Sequence, residues 1–213
     1  MVSILSFAIS IVTAYLIGSF PTSFLLARAM KGVDIRQVGS GNAGATNVLR
    51  TIGKLPALVT LVVDILKGVL AVTVITNFFY SFGIDLVFEF YQGLMGLTVV
   101  CGHIWSVFLR FKGGKGVATT LGVALGITPL ALVPTIILWV VVFAISRYVS
   151  LASIISLMFF PLVACLLGYN FYTILFGVII CSLSIYKHKD NVKRLLKAEE
   201  SKTQIFKKIR LGK

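Results

Sequence analysis

Basic residues in this chain fall in a few short segments, and the stretches between them are apolar and long enough to cross a bilayer. That pattern limits the fold more than any motif does. A helix needs about 20 mostly apolar residues to span hydrocarbon. Backbone at that depth must satisfy its own hydrogen bonds, which leaves helices or closed barrels. A mean hydropathy of +0.99, with 58% hydrophobic residues, lies outside the range of soluble globular chains. An all-α integral membrane protein follows, with residues 1–213 as a single membrane domain. The N-terminus lacks a basic n-region and a small-residue cleavage site, so it reads as a retained first span.

The net charge of +13 decides how the spans are counted. Residues 28–54 carry five Lys/Arg against Asp34. Arg110, Lys112, Lys115 and Arg147 form a second group. From Lys187 onward, ten Lys/Arg stand against Asp190, Glu199 and Glu200. Positive charge held in discrete loops marks sidedness in a membrane and argues against a nucleic-acid surface. Apolar runs place spans at about 4–27, 56–76, 90–109, 151–167 and 171–186. Residues 117–145 are a continuous apolar run. As one span it would put Arg147 and the basic tail opposite the other basic loops. Two short helices, at about 117–129 and 131–146 and hinged near Thr128-Pro129 and Pro134, return every basic segment to one side. The expectation is seven transmembrane helices with short helices four and five, the N-terminus outside and the C-terminus cytoplasmic. Residues 187–213 read as a basic amphipathic cytoplasmic tail on anionic lipid, with Val192, Leu195, Leu196, Ile205, Phe206 and Ile209 among the lysines.

Polar chemistry gathers in four places. The run Val38-Gly39-Ser40-Gly41-Asn42-Ala43-Gly44-Ala45-Thr46-Asn47 cannot lie in hydrocarbon. Its glycines let backbone N–H groups converge on an anion, with Arg50 near enough to add charge. Lys112-Gly113-Gly114-Lys115-Gly116 opens span four, where a helix N-terminus favours anions. It is not a Walker A loop, because Leu109 and Gly116 stand where that motif has Gly and Ser/Thr. Ser150, after Arg147-Tyr148-Val149, either donates to an anion or caps span six. His188, Asn191 and Arg194 recur at i, i+3 and i+6, on one helical face. Within the spans, Asp64 and Lys67 read as an ion pair, and His103 as a core histidine near the middle of span three. Cys101, Cys165 and Cys181 lack any metal or redox spacing and read as small hydrophobes. No HxxxxD or GxSxG pattern is present, since Phe108 and Lys193 follow the two histidines at the fifth position.

The glycine loop, the turn Phe111-Lys112-Gly113-Gly114-Lys115-Gly116-Val117-Ala118-Thr119, and His188-x-x-Asn191-x-x-Arg194-Leu195 together resemble a known family. They look like the three motifs of the bacterial acyl-phosphate:glycerol-3-phosphate acyltransferases, and the likeness covers nearly the whole chain. The resemblance implies transfer of a fatty acyl group from acyl phosphate to the 1-hydroxyl of glycerol 3-phosphate. Lysophosphatidic acid would form, as the first step of phospholipid synthesis, at the cytoplasmic face of a bacterial inner membrane. The resemblance points to Ser40, Arg50, Lys115, His188 and Asn191 as catalytic. It adds Ser150 to the polar site, and with the anion-binding reading of the loops above, Gly39, Gly41, Asn42, Gly44, Thr46, Asn47, Lys112, Gly113, Gly114, Ser150 and Arg194 are the expected substrate-binding residues. It implies no cofactor or metal, and as partners only the two substrates and the lipid bilayer, with no nucleic acid and no obligate protein partner. A substrate phosphate would serve as the base, with His188 as an orienting donor. Three departures stand out: Ser106 where the family usually has proline, Ala198 where it usually has glycine, and a longer tail beyond Glu200. An acyl phosphate already carries a good leaving group, so the residues need only hold two phosphates and stabilise developing charge. The competing class is a transporter or channel for phosphate or an organophosphate. Against it, the basic groups sit on one side, with no polar ladder through the spans.

Overall fold

The computed structural model describes residues 2–203, and every regular element among them is helical. The elements are α1 (Val2–Ser19), α2 (Thr22–Lys31), α3 (Ala45–Thr51), α4 (Lys54–Leu70), α5 (Thr76–Tyr80), α6 (Phe88–Ile104), α7 (Val117–Ile127), α8 (Pro129–Ser146), α9 (Val149–Leu166), α10 (Phe171–Tyr186) and α11 (Lys189–Leu196). Five helical stretches are long and apolar enough to cross a membrane: Ser3–Lys31, Lys54–Tyr80, Phe88–Leu109, Pro129–Ser146 and Val149–Leu166. The pair α10 and α11, bent by 55° at their junction, makes a sixth if counted together. Helix α7 is apolar but shorter than these.

Local chemistry explains the breaks. Pro21 has no N–H, so the first rod is interrupted there. The carbonyl of Phe20 accepts a hydrogen bond from Lys67 Nζ at 2.5 Å. Helices α4 and α5 are joined by a π turn over Ala71–Ile75. Two of its carbonyls are taken by side chains, Thr76 Oγ1 on Ala71 O (2.8 Å) and Gln92 Nε2 on Val72 O (2.9 Å). Helix α7 is short, as expected. Helix α8 is not: it starts at Pro129 and runs 18 residues. Proline at a first helical position has its φ preset and loses no bond. Pro134 sits within the helix without ending it, which neighbouring groups permit in a membrane helix.

Small residues set the closest helix contacts. A Cβ on Gly18 of α1 would lie 2.1 Å from Val99 O of α6, and one on Gly102 would lie 2.3 Å from Tyr15 O. Between α4 and α7, Gly68 and Gly122 do the same against Thr119 O and Ile65 O. Apolar side chains gain little by leaving lipid for protein, so close backbone approach carries the association. Helix α8 packs on α9, and α10 on α9 and α6. The buried pair Asp64–Lys67 (2.6 Å) lies inside this bundle.

Among the described residues, the basic segments meet at one end. Arg36 Nη1 donates to Leu109 O at 2.8 Å, and Arg50 Nη2 to Ser201 O at 2.9 Å. Thr203 N donates to Arg147 O at 2.9 Å, and Lys115 reaches Asn191. Of the segment expected to form a lipid-bound tail, His188, Asn191, Glu200 and Thr203 are buried in the protein. Ile205, Phe206 and Ile209 lie outside the described residues.

Candidate active site

The glycine loop takes its shape from one side chain. Asn47 is fully buried; its Nδ2 lies 3.0, 3.0 and 3.1 Å from the carbonyls of Ile35, Val38 and Asn42. Its Oδ1 accepts from Ser40 N at 2.9 Å. Gly39 has φ +60°, and a Cβ there would lie 2.2 Å from Asn47 Oδ1, so glycine is required. The loop is thus pinned from within and presents Ser40, Asn42, Gly44 and Thr46 to a cavity. Asn47, expected to bind substrate, has its amide committed to the loop backbone.

The second glycine turn is built against the end of α6. Gly113 N donates to Ile104 O and Gly114 N to His103 O, each at 3.1 Å, satisfying carbonyls that the helix terminus leaves open. A Cβ on Gly113 would meet His103 O at 2.1 Å, and one on Gly114 would meet His103 Nε2 at the same distance. These two glycines therefore serve close packing, and Lys112 is exposed away from the cavity. His103 lies in the last turn of α6 beside this loop, not near the middle of a span. The apolar run through Leu109 hides the helix end, which comes at Trp105. Ser106 keeps φ −62°, the value a proline ring would impose, and its Oγ donates to Ser19 O at 2.5 Å.

Lys115 is delivered by that turn, and its ammonium donates to Asn191 Oδ1. Burial first, and the neighbouring arginines Arg194 and Arg50 with it, lower its pKa to about 8. Asn191 Nδ2 donates to Glu200 Oε1 at 2.7 Å, and Ser150 Oγ to the same oxygen at 2.8 Å. Arg194 Nε donates to Glu200 Oε2 at 2.7 Å. The clusters at Lys115, Ser150 and His188–Arg194, far apart in sequence, are one hydrogen-bonded network with Glu200 at its centre. Burial raises the Glu200 carboxyl, but hydrogen bonds from Arg194, Asn191 and Ser150 outweigh it and hold the pKa below its ordinary value.

His188 Nδ1 lies 2.8 Å from Ser184 O. Burial, then the Lys115 cation, push its pKa down to about 4, so at neutral pH the ring is uncharged. A carbonyl can only accept, so Nδ1 carries the proton and Nε2 is left with a lone pair. The free nitrogen is an acceptor, opposite to the orienting donor expected from sequence. Arg50 is exposed at the rim, bonded to Ser201 O and Thr203 Oγ1.

Sequence reasoning missed Glu200. It stands behind a helix reversal: Ala198 N donates to Leu195 O and Glu199 N to Arg194 O, with Ala198 at φ +56°. That is a Schellman cap, whose left-handed position favours glycine. The departure from glycine at 198, read with the acid two residues later, was the available signal.

These groups ring the mouth of a cavity of about 590 Å³. Inward from Ser150, the cavity follows one face of α9 through Ser153 and Leu157 to Phe160. Ten residues at 1.5 Å rise give about 15 Å of depth. Leu132, Ile136, Trp139 and Phe143 of α8 face it, with Trp139 Nε1 donating to Ser153 Oγ at 3.2 Å. The wall is mostly apolar, with Ser153, Ser156, Thr120 and Thr135 as polar exceptions, and the cavity is in the size range of ligand pockets. Helical bundle, cation-rich mouth and apolar channel together form a site that can hold a polar anion beside a lipid chain.

Residues 8–198 match the glycerol-3-phosphate acyltransferase family. A glycerol-3-phosphate acyltransferase of Desulforudis audaxviator is 46% identical over 189 residues, covering 89% of this chain and 91% of that one. One from Desulforamulus reducens is 42% identical over 194 residues, covering 90% and 92%. The crystal structure of PlsY (YgiH), an integral membrane glycerol 3-phosphate acyltransferase, in its glycerol 3-phosphate form superposes with a TM-score of 0.84. It is 39% identical, over 93% of this chain and 96% of that one. Its lysophosphatidic acid form gives 0.81 at 38% identity, over 92% and 95%. The chain belongs to the glycerol-3-phosphate acyltransferase family.

Proposed function

We propose that this protein transfers an acyl group from acyl phosphate to the 1-hydroxyl of glycerol 3-phosphate, giving lysophosphatidic acid and phosphate. The observation that carries this reading is the continuity of the Lys115–Asn191–Glu200–Ser150 network with the apolar channel. A phosphate fits the mouth and a fatty chain fits the interior. Ser40, Arg50, Lys115, His188 and Asn191 line the reacting end. Gly39, Gly41 and Asn47 shape the loop, Asn42, Gly44, Thr46 and Ser150 surround the anions, and Arg194 adds positive charge from its bond to Glu200.

The hydroxyl oxygen attacks the acyl carbonyl, a new ester C–O bond forms, and the C–O bond to phosphate breaks. Lys115 stabilises charge gathering on the phosphate and carbonyl oxygens. His188 Nε2 accepts a hydrogen bond from the hydroxyl and aims it. A ring with a pKa near 4 retains a proton poorly, whereas a phosphate with a second pKa of about 6 retains it better. The proton therefore leaves with the released phosphate.

Purified protein in detergent, given glycerol 3-phosphate and acyl phosphate, should form lysophosphatidate without a second compartment. Acyl-CoA and acyl carrier protein should be poor donors, because no nucleotide-binding motif lines the mouth. Equal turnover with acyl-CoA would overturn the assignment of the donor.

The same reading extends to topology: seven membrane-embedded helices, N-terminus outside, and the basic end in the cytoplasm of a bacterial inner membrane. Convergence of the described basic segments at one end supports it. A cysteine at Gly168 should label from outside, and one at Lys202 only in opened membranes. Labelling of both from one side would refute the orientation.

A further inference from the structure

Phe160 stands where the main cavity meets a second one. Phe160 is 8% exposed and lies at the deep end of the main cavity, about 15 Å from Ser150 along α9. Behind it is a second, separate cavity of about 30 Å³, lined by Thr128, Thr173, Phe176 and Gly177 among others. Thr120, Ala124, Phe160 and Cys181 belong to the walls of both. Of these four, Phe160 has the only large side chain, so its ring is the main partition between the cavities. On its far side stands Gly177 of α10, where a Cβ would lie 3.4 Å from Phe160 Cε1. Ala124 reaches the same floor from α7.

The geometry points to Phe160 as the residue that sets acyl-chain length, with Ala124 opposite it. This rests on the acyl-transfer reading above. A chain held by its phosphate at the polar mouth runs inward along α9, and its terminal methyl meets the Phe160 ring. Methylenes that fit before the ring are buried and favourable. The first that does not fit must displace the ring or buckle the chain. One methylene too many in an apolar pocket discriminates by roughly 10–200-fold. Removing the ring joins the main channel to the void behind it and deepens the site. Added bulk at Ala124 raises the floor.

The test uses purified wild type, Phe160→Ala and Ala124→Leu, with saturated acyl phosphates lengthened two carbons at a time. For wild type, kcat/KM should fall roughly tenfold or more beyond an optimal length. Phe160→Ala should move that fall to chains at least two carbons longer, and Ala124→Leu to shorter ones. If Phe160→Ala fails to fold by thermal melting, Phe160→Leu and Ala124→Leu carry the comparison. Active variants with the wild-type length profile overturn the inference alone. A folded wild type that acylates glycerol 3-phosphate from none of the series overturns the transfer reading, and this inference with it.

Discussion

Replacing Lys115 with methionine is expected to lower kcat by about 10²–10³ while the protein stays folded. Methionine keeps much of the lysine stem's packing and removes the charge. The ammonium sits in a part-buried pocket, bonded to Asn191, where bulk water does not screen it. A cation there already faces substrate phosphate in the ground state, but the charge it meets grows as the C–O bond to phosphate breaks, so turnover should fall as well as binding. The same residue sets a pH limb. Its pKa of about 8 means that activity should fall above pH 8 as the amine deprotonates, and Lys115→Arg should lack that limb. The loss cannot be Lys115-linked unfolding. Between about 8 and the ordinary 10.5, the unfolded chain holds the proton and the folded one does not, so stability rises with pH there. Kinetics with both substrates varied, on protein shown intact by melting, would check this. Near-normal turnover for Lys115→Met, with folded His103→Ala inactive, would place the chemistry on the other side of the cavity.

The three glycine and histidine motifs were legible because their chemistry is local. A glycine-rich loop cannot sit in hydrocarbon, and a lysine after paired glycines at a helix start has few other roles. What sequence could not show was which glycines face ligand and which face protein. Gly113 and Gly114 pack on His103, and only the fold puts that histidine at the end of α6. Asn47 has the composition of a ligand-binding residue and the geometry of a loop pin. The apolar runs gave the helices but not their ends: Trp105 closes α6 within an uninterrupted hydrophobic stretch, and Pro134 fails to shorten α8. The channel wall was hidden for a simpler reason. Phe160 and Trp139 have the same apolar character as side chains that face lipid, and periodicity does not separate the two.

The largest structural effect is expected at Glu200. Glu200→Ala leaves Ser150 Oγ and Asn191 Nδ2, both buried, without their acceptor. Each buried orphan donor costs about 1–3 kcal/mol, giving roughly 2–6 kcal/mol for the pair. Arg194 adds less, because its side chain is 37% exposed and can take up water. At about 2–4 °C per kcal/mol for a chain of this size, the melting temperature should drop by roughly 5–25 °C. Glu200→Gln keeps an oxygen for Ser150 and Asn191 but turns an amide toward Arg194, so it should lose about half as much. Because the folded-state pKa of Glu200 is depressed, its contribution is complete above the ordinary carboxylate pKa. It is lost only as pH falls through the lower folded value, so the difference between variants should narrow in acid. Ala198→Gly should act in the opposite direction. It relieves a left-handed alanine in the turn that presents Glu200, worth about 1 kcal/mol against the added freedom of the unfolded chain. Thermal melts of the three variants across pH decide the matter. If Glu200→Ala melts with wild type yet loses all turnover, then Glu200 acts on substrate and does not hold the network that positions Asn191 and Lys115.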